Sequence, residues 1–527
     1  MSHVIVVGAG MGGLAAAADL ATRGARVTVV EKAPAPGGKM RRLDPGGDET
    51  AAAGAVGNDG IDAGPTVFTM RWVFEGLFDD AGASFERYVS ARPADILARH
   101  AWDDGGRLDL FADLDRSTAA VEAFAGADEA AGFRAFAARS AEIAATLTPP
   151  FMAAERPGPL ALVRRVGLDR LGAMLRIDPF STLWGALGRY FSDPRLRQLF
   201  GRYATYVGSS PFEGPATLML IAQVEQDGVW LVDGGMHALA QAVERLGRDR
   251  GAVYRYGTGV ARILVEGGRA VGVELDGGER LTGDAVVFNG DVSALAGGLL
   301  GAPARPAARA VPARARGLSA ITWATRARAD GFDLHRHNVF FSADYADEFD
   351  AVFKRRDITR RPTVYVCAQD RGEDCGPDRG QTRGAERLLL LVNAPPDGDR
   401  GELAPAMLDH AEREAWELMA ACGLRLDRPD AAPTVRTTPA GFERLFPATG
   451  GGLYGRRVQG SLGTFKRAGA VTRLPGLYCC GGSVHPGPGV PMAALSGRIA
   501  AARALDDLAT RRRGVVALDT PFGRLGG

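Results

Sequence analysis

Short β-branched runs that end in glycine punctuate this chain, with long stretches of helical spacing between them. The first run is Val4-Ile5-Val6-Val7, which reads as a buried strand. Gly8-Ala9-Gly10-Met11-Gly12-Gly13 then reads as a tight turn into a helix over Leu14 to Leu20. Arg26 to Val30 predicts the next parallel strand, closed by Glu31. Ile61 to Val67 reads as a strand breaking into a Gly-Pro turn, followed by a helix through Trp72, Phe74, Leu77 and Phe78. Residues 115 to 245 are largely helical by period. Within them, residues 160 to 176 place Leu160, Val163, Leu171 and Met174 on one side and Arg165, Asp169 and Arg176 on another. Such a stripe suits a core or a membrane interface. From Ala252 to Gly290 the period becomes two, with glycine pairs at Gly267-Gly268 and Gly277-Gly278, which predicts a three-strand excursion returning to a buried strand at Ala285 to Asn289. Residues 318 to 440 mix strand-like pieces, among them Arg361 to Cys367 and Arg387 to Val392, with helical ones. Gly476 to Gly482 reads as a last buried strand, leading through a Pro-Gly loop into a helix beginning near Met492.

Composition narrows the possibilities. Residues 44 to 58 are Gly-, Ala- and acid-rich and read as a surface insertion, residues 302 to 317 as an exposed Ala-Pro-Arg connection, and Lys354-Arg355-Arg356 as solvated surface. The 527 residues carry 63 Lys+Arg against 62 Asp+Glu, so no global field favours nucleic acid. Five cysteines are too few for a disulfide scaffold at this length, and the neighbours Cys479 and Cys480 read as reduced thiols. The nucleotide-like motif begins directly after His3, which leaves no room for a signal peptide, and no apolar run reaches the roughly 20 residues of a membrane span. Any membrane attachment is therefore expected to be peripheral, from the cytoplasmic side.

The candidate chemistry is that of a dinucleotide. Gly8 permits the turn, Gly10 bares the backbone to a pyrophosphate, Gly13 allows close helix–strand packing, and Glu31 stands at the spacing of a ribose-binding carboxylate. Gly37-Gly38-Lys39 offers either a second phosphate or flavin approach or an ordinary turn. His485, in the Pro-Gly loop, is the candidate for proton transfer, with a purely turn-shaping role as the alternative. Tyr206, Trp230, His237 and Phe341 are candidates for a tunnel wall or for the core. No metal-ligand spacing appears among the seven histidines and five cysteines.

These motifs together resemble the FAD-dependent amine oxidase and phytoene desaturase superfamily. Asp62-Ala63-Gly64-Pro65-Thr66-Val67 and Gly482-Ser483-Val484-His485-Pro486-Gly487-Pro488-Gly489-Val490-Pro491 are similar to the carotenoid desaturases. Gly201 to Pro211 and His337 to Ser342 resemble the hydroxyneurosporene desaturase branch, also known as methoxyneurosporene dehydrogenase or 1-hydroxycarotenoid 3,4-desaturase. The resemblance implies an α/β fold: a Rossmann-like FAD-binding domain built from residues 1–70, 246–295 and 471–510, an interleaved mixed α+β substrate domain from 71–245 and 296–470 with a helical part able to face a membrane, and a tail at 511–527.

It also implies noncovalent FAD held by Gly8, Gly10, Gly12, Gly13, Glu31 and Lys32, by Gly38, Lys39, Gly64 and Pro65, by Val260 against adenine, and by Gly482, Ser483, Gly489, Val490, Pro491 and Met492 at the flavin. The implied reaction is 3,4-desaturation of a 1-hydroxylated or 1-methoxylated acyclic carotenoid in spheroidene-type biosynthesis. A hydride passes from an allylic carbon to the flavin and a proton leaves its neighbour. A single GxGxxG leaves no NADPH domain, so oxygen or a quinone is expected to take the electrons. The alternatives are phytoene desaturation, amine oxidation, and a non-catalytic prenyl-lipid carrier of the same architecture.

Overall fold

The computed structural model describes residues 1–44, 60–166, 177–178, 180–372, 384–427 and 434–518. The surface insertion expected at 44–58 falls almost wholly outside them. The same holds for 167–176 of the expected amphipathic segment, whose described part is a helix over Pro159–Val166.

Two sheets organise the molecule. Strand β1 (His3–Val7) is buried beyond its first residue and leads through the glycine turn to helix α1 (Met11–Thr22) and then to β2 (Arg26–Val30). β1 lies at the centre of a five-stranded parallel sheet, with β2 and then β3 (Val253–Arg255) on one side, and β4 (Ala285–Phe288) and then β5 (Leu477–Cys479) on the other. The strands of one sheet thus come from widely separated parts of the chain. The excursion between β3 and β4 is an antiparallel sheet of Val260–Glu266, Arg269–Leu275 and Arg280–Thr282. Its first strand begins at Val260, because Val253–Arg255 belongs to the parallel sheet.

α1 is buried along nearly its whole length, and its alanines allow close approach on every side. Its partner is α2 (Val490–Leu518), where a Cβ on Gly497 would stand 2.1 Å from the Gly12 carbonyl oxygen. α2 starts two residues before the expected Met492 and runs past residue 511, where a tail was expected.

The second sheet runs in the order Arg425–Asp427, Ser319–Asp330, Glu386–Ala394, Val364–Ala368, His337–Phe341, Ile96–Trp102 and Arg107–Phe111. Its strand Glu386–Ala394 is largely apolar on both faces, for different reasons. Leu388, Leu390 and Val392 pack with Val364, Val366 and Trp323 beneath the helix Pro405–Ala421. Leu389, Leu391 and Asn393, one residue out of phase, face a cavity together with Tyr365 and Thr322. Helices including Leu114–Ala125, Ala127–Leu147 and Pro194–Gly201 close the other side. The connection at 302–317 is not simply exposed: it forms short 3-10 turns, and Ala304 and Ala307 are buried against the parallel sheet. Among the described residues, no helix is long and apolar enough to cross a membrane.

Candidate functional site

The site begins at the glycine turn. Gly8 has φ +99°, a conformation that favours glycine, and its N–H donates to the Val30 carbonyl at 2.8 Å. A Cβ on Gly13 would sit 2.0 Å from the Gly8 carbonyl oxygen, so this glycine lets α1 press onto its strand. Gly10 and Gly12 have closer neighbours than the sequence suggests. A Cβ on Gly10 would lie 2.8 Å from the Asn289 side-chain nitrogen, and one on Gly12 2.8 Å from the Gly481 nitrogen. These two glycines admit the ends of β4 and β5 to the turn while still lining the cavity. α1 has no side-chain cap at Gly10, which leaves its first-turn N–H groups for a ligand. Glu31 lines the same cavity beside Lys32 and Val260, and its carboxylate also braces the turn, accepting from the Ala9 N–H at 2.6 Å and the Ala33 N–H at 2.8 Å.

The cavity continues over a second layer of loops. Gly37 (φ +112°) donates to the Ala9 carbonyl at 2.8 Å, and a Cβ on Gly38 would lie 3.1 Å from the Gly10 Cα, so residues 37–40 rest on the first turn. The Lys39 amine reaches across to donate to the Leu453 carbonyl at 2.6 Å. Burial draws its pKa down to about 8, with Asp291 opposing and Arg467 adding to the fall. A Cβ on Gly64 would be 1.8 Å from the Lys39 carbonyl oxygen, which fixes the Gly64-Pro65 turn against this loop. Opposite lie Gly482, Ser483, Gly489, Val490, Pro491 and Met492. Arg467 is buried here, donating to the Tyr454 carbonyl at 2.9 Å and the Gly482 carbonyl at 3.3 Å, and burial draws its pKa down to about 10. Its second terminal nitrogen, Nη2, is buried with no hydrogen-bond partner among the described residues. Uncapped helix, bared glycines and a waiting guanidinium suit an adenine dinucleotide ending in a polar-edged flavin ring.

Beyond the loops the cavity, about 890 Å³ in all, becomes apolar, with walls that include Phe151, Met152, Leu162, Ile221, Val224 and Leu391. One region of the wall is polar. Glu225 accepts from the Tyr206 hydroxyl at 2.5 Å and the Tyr203 hydroxyl at 2.8 Å, and Arg202 lies over the rings of Tyr206 (5.6 Å) and Tyr365 (5.4 Å). Burial raises the Glu225 carboxyl, opposed by its two tyrosine donors and Arg202. The Tyr365 hydroxyl is 2.6 Å from that of Thr66 and 2.7 Å from His337 Nδ1.

The structure distributes the remaining candidates unevenly. His485 is buried behind the cavity wall. Its Nε2–H points at the Phe151 carbonyl (2.8 Å) and the Ala154 carbonyl (3.0 Å), and burial lowers its pKa to about 4, so it is a neutral brace rather than a group facing the cavity. Of the four tunnel-wall candidates only Tyr206 lines the cavity. Trp230 lies under the Arg71 guanidinium, His237 is held by the Met40 carbonyl at 2.8 Å, and Phe341 stacks on Trp102 in the core. Asp62 of the Asp-Ala-Gly-Pro motif is structural: it accepts from the Met236 N–H at 2.5 Å at the start of a helix and pairs with Arg42. Sequence reasoning missed Arg202, Glu225, Tyr345 and Arg467, although Arg202 stood inside a motif it had singled out. Among the described residues no cluster of potential metal ligands occurs, and the four described cysteines are free and buried.

A family model described as flavin containing amine oxidoreductase matches residues 11–505. The chain is 52% identical to a hydroxyneurosporene desaturase of Rubrivivax gelatinosus, over 98% of this chain and 96% of that protein. It is 44% identical to one of Cereibacter sphaeroides, over 97% and 99%. Among solved structures, the cyclohexylamine oxidase of Brevibacterium oxydans has the same fold, with a TM-score of 0.55, 16% identity, and coverage of 96% of this chain and 99% of that one. With its glycine turn, interleaved segments and loop-lined cavity accounted for, the chain belongs to the flavin containing amine oxidoreductases, among the carotenoid desaturases.

Proposed function

We propose that this protein is an FAD-dependent carotenoid desaturase that introduces the 3,4 double bond into 1-hydroxylated or 1-methoxylated acyclic carotenoids. The observation that carries this reading is one cavity, continuous from the uncapped start of α1 to a wall of Phe151, Met152, Leu162 and Val224. A redox cofactor and a long apolar substrate can meet there out of water. FAD, when bound, supplies the two-electron acceptor that no side chain provides. The residues of this chain do the rest. Gly8 to Gly12 and the first turn of α1 seat the phosphates, Glu31 the ribose, and Val260 the adenine. Gly38, Lys39, Gly64, Pro65, Arg467 and the Gly482–Met492 segment fix the flavin ring.

Because positive charge spreads along a polyene, proton loss needs no strong base, and His485 braces the loop without taking the proton. The substrate is dissolved in lipid, so the enzyme works as a peripheral protein at a membrane surface and passes electrons to oxygen or a quinone. Incubating the enzyme with liposomes holding hydroxyneurosporene, neurosporene or phytoene tests this. Hydroxyneurosporene should show the first red shift as conjugation lengthens, while a colourless protein unable to take up FAD, or peroxide production from polyamines alone, would refute it. In stopped flow, carotenoid and not NADPH should bleach the flavin.

A further inference from the structure

The polar part of the cavity wall has no task in holding a hydrocarbon. Arg202, Tyr206, Glu225, Tyr345 and Tyr365 all line it, and a purely apolar substrate would give the one unpartnered group among them, the Tyr345 hydroxyl, nothing to bond. Glu225 is engaged by two tyrosine hydroxyls, and Arg202 lies against the ring faces of Tyr206 and Tyr365 with Tyr206 and Glu225 as polar neighbours. The Tyr345 hydroxyl is buried in this wall with no hydrogen-bond partner among the described residues. Burial raises the Tyr345, Glu348 and Tyr454 groups, and the field of Arg202 opposes the rise in all three, which makes this guanidinium the cation common to that end of the cavity.

The position matters as much as the chemistry. Tyr365, beneath Arg202, is tied to Thr66 at 2.6 Å, and Thr66 follows the Gly64-Pro65 turn that packs on Lys39. The polar wall therefore adjoins the loops assigned to the flavin. On the reading above, the oxygen is carried by C1 and the bond oxidised joins C3 and C4. With carbon–carbon bonds of about 1.5 Å, C3 and C4 lie only roughly 2.5 and 4 Å from C1. A group that recognises that oxygen must stand close to the reacting bond, and this wall adjoins the loops proposed to hold the flavin.

We propose that Arg202 and Tyr345 form the receptor for the oxygen on the substrate's tertiary C1 and thereby determine specificity for oxygenated over plain carotenes. Both offer donors. A hydroxyl and a methyl ether share one capacity, that of accepting, so a donor pair accommodates either. A plain hydrocarbon end offers the pair no acceptor, leaves the Tyr345 hydroxyl unsatisfied and is disfavoured. This inference rests on the proposed desaturase activity and adds its selectivity.

The test is a ratio: kcat/KM for hydroxyneurosporene over that for neurosporene, both in liposomes, with flavin-loaded enzyme. Tyr345→Phe deletes only the unpaired hydroxyl, and Arg202→Met replaces the cation by an apolar chain. The expected result is a ratio reduced at least tenfold by Arg202→Met and severalfold by Tyr345→Phe, the methoxylated substrate following the hydroxylated one and the flavin spectrum remaining that of the wild type. Should Arg202→Met fail to retain flavin, Tyr345→Phe decides alone. An active wild-type enzyme whose ratio survives these substitutions, or in which both substrates fall together, overturns this proposal only. A wild-type enzyme inactive on every carotenoid overturns the desaturase reading and this proposal with it.

Discussion

At the scale of single residues, what a side chain does here depends on which backbone it meets. His485 has the residue type and loop position of a proton carrier, yet its Nε2 is committed to two carbonyls. His485→Gln should therefore keep desaturase activity within a few-fold of wild type while losing about 1–3 kcal/mol of stability from those carbonyls, read from denaturant melts. The pH dependence has a definite sign. With a folded pKa of about 4 against an ordinary 6.5, the folded state binds the proton less well, so this contribution to stability is full above pH 6.5 and is lost as the pH falls toward 4. Between pH 7.5 and pH 5 the wild type should lose about 2 kcal/mol more than the His485→Gln variant. Equal losses in the two proteins would show that His485 does not titrate with folding. The turn-forming role of Gly8 was legible in the sequence because a left-handed backbone is a local requirement. The parts of Arg202 and Tyr345 were not, because a residue's place on a cavity wall is set by segments distant in the chain.

Elements were legible where period and boundary agreed. The strands β1, β2 and β4 follow directly from β-branched runs, closed by Gly8, by Glu31 and by Asn289-Gly290, and α1 from its alanines. The strand Glu386–Ala394 read as strand-like over Arg387 to Val392 but without alternation, because a helix covers one of its faces and the cavity the other. Gly497 carried no signal at all. In isolation a glycine inside a helix is merely unfavourable; here its reason is the Gly12 carbonyl of α1, which a Cβ would approach to 2.1 Å. Gly497→Ala should force α2 away from α1 and lower stability by about 1–3 kcal/mol, despite alanine's better helix propensity. The same shift moves the Gly481 loop, whose N–H is held by Ser496 at 3.2 Å, so flavin content after purification should fall as well. An alanine variant as stable and as yellow as wild type would mean that the two helices have room to give.

For the whole molecule, the interleaving of segments is what sequence patterns convey least, since the order β5-β4-β1-β2-β3 depends on pairings between ends of the chain that no local period encodes. That interleaving has an energetic consequence. The cofactor cavity is lined by residues 7–8, 10–12, 30–33, 35–41, 63–67, 69–70, 258–260, 288–291, 481–483 and 486–493, so a dinucleotide bound there bridges segments near the two ends of the chain and from its middle. A ligand that binds only the assembled cavity stabilises the fold by mass action, about 2.7 kcal/mol at one hundred times its dissociation constant. Protein stripped of flavin should accordingly melt at a lower temperature and be cleaved faster by protease, and added FAD should raise the midpoint in step with its concentration. FMN, which lacks the adenylate that Glu31 and Val260 are placed to hold, should raise it far less. Equal stabilisation by FMN and FAD would remove the adenylate from the glycine turn, and a midpoint indifferent to both would place the cofactor outside this cavity.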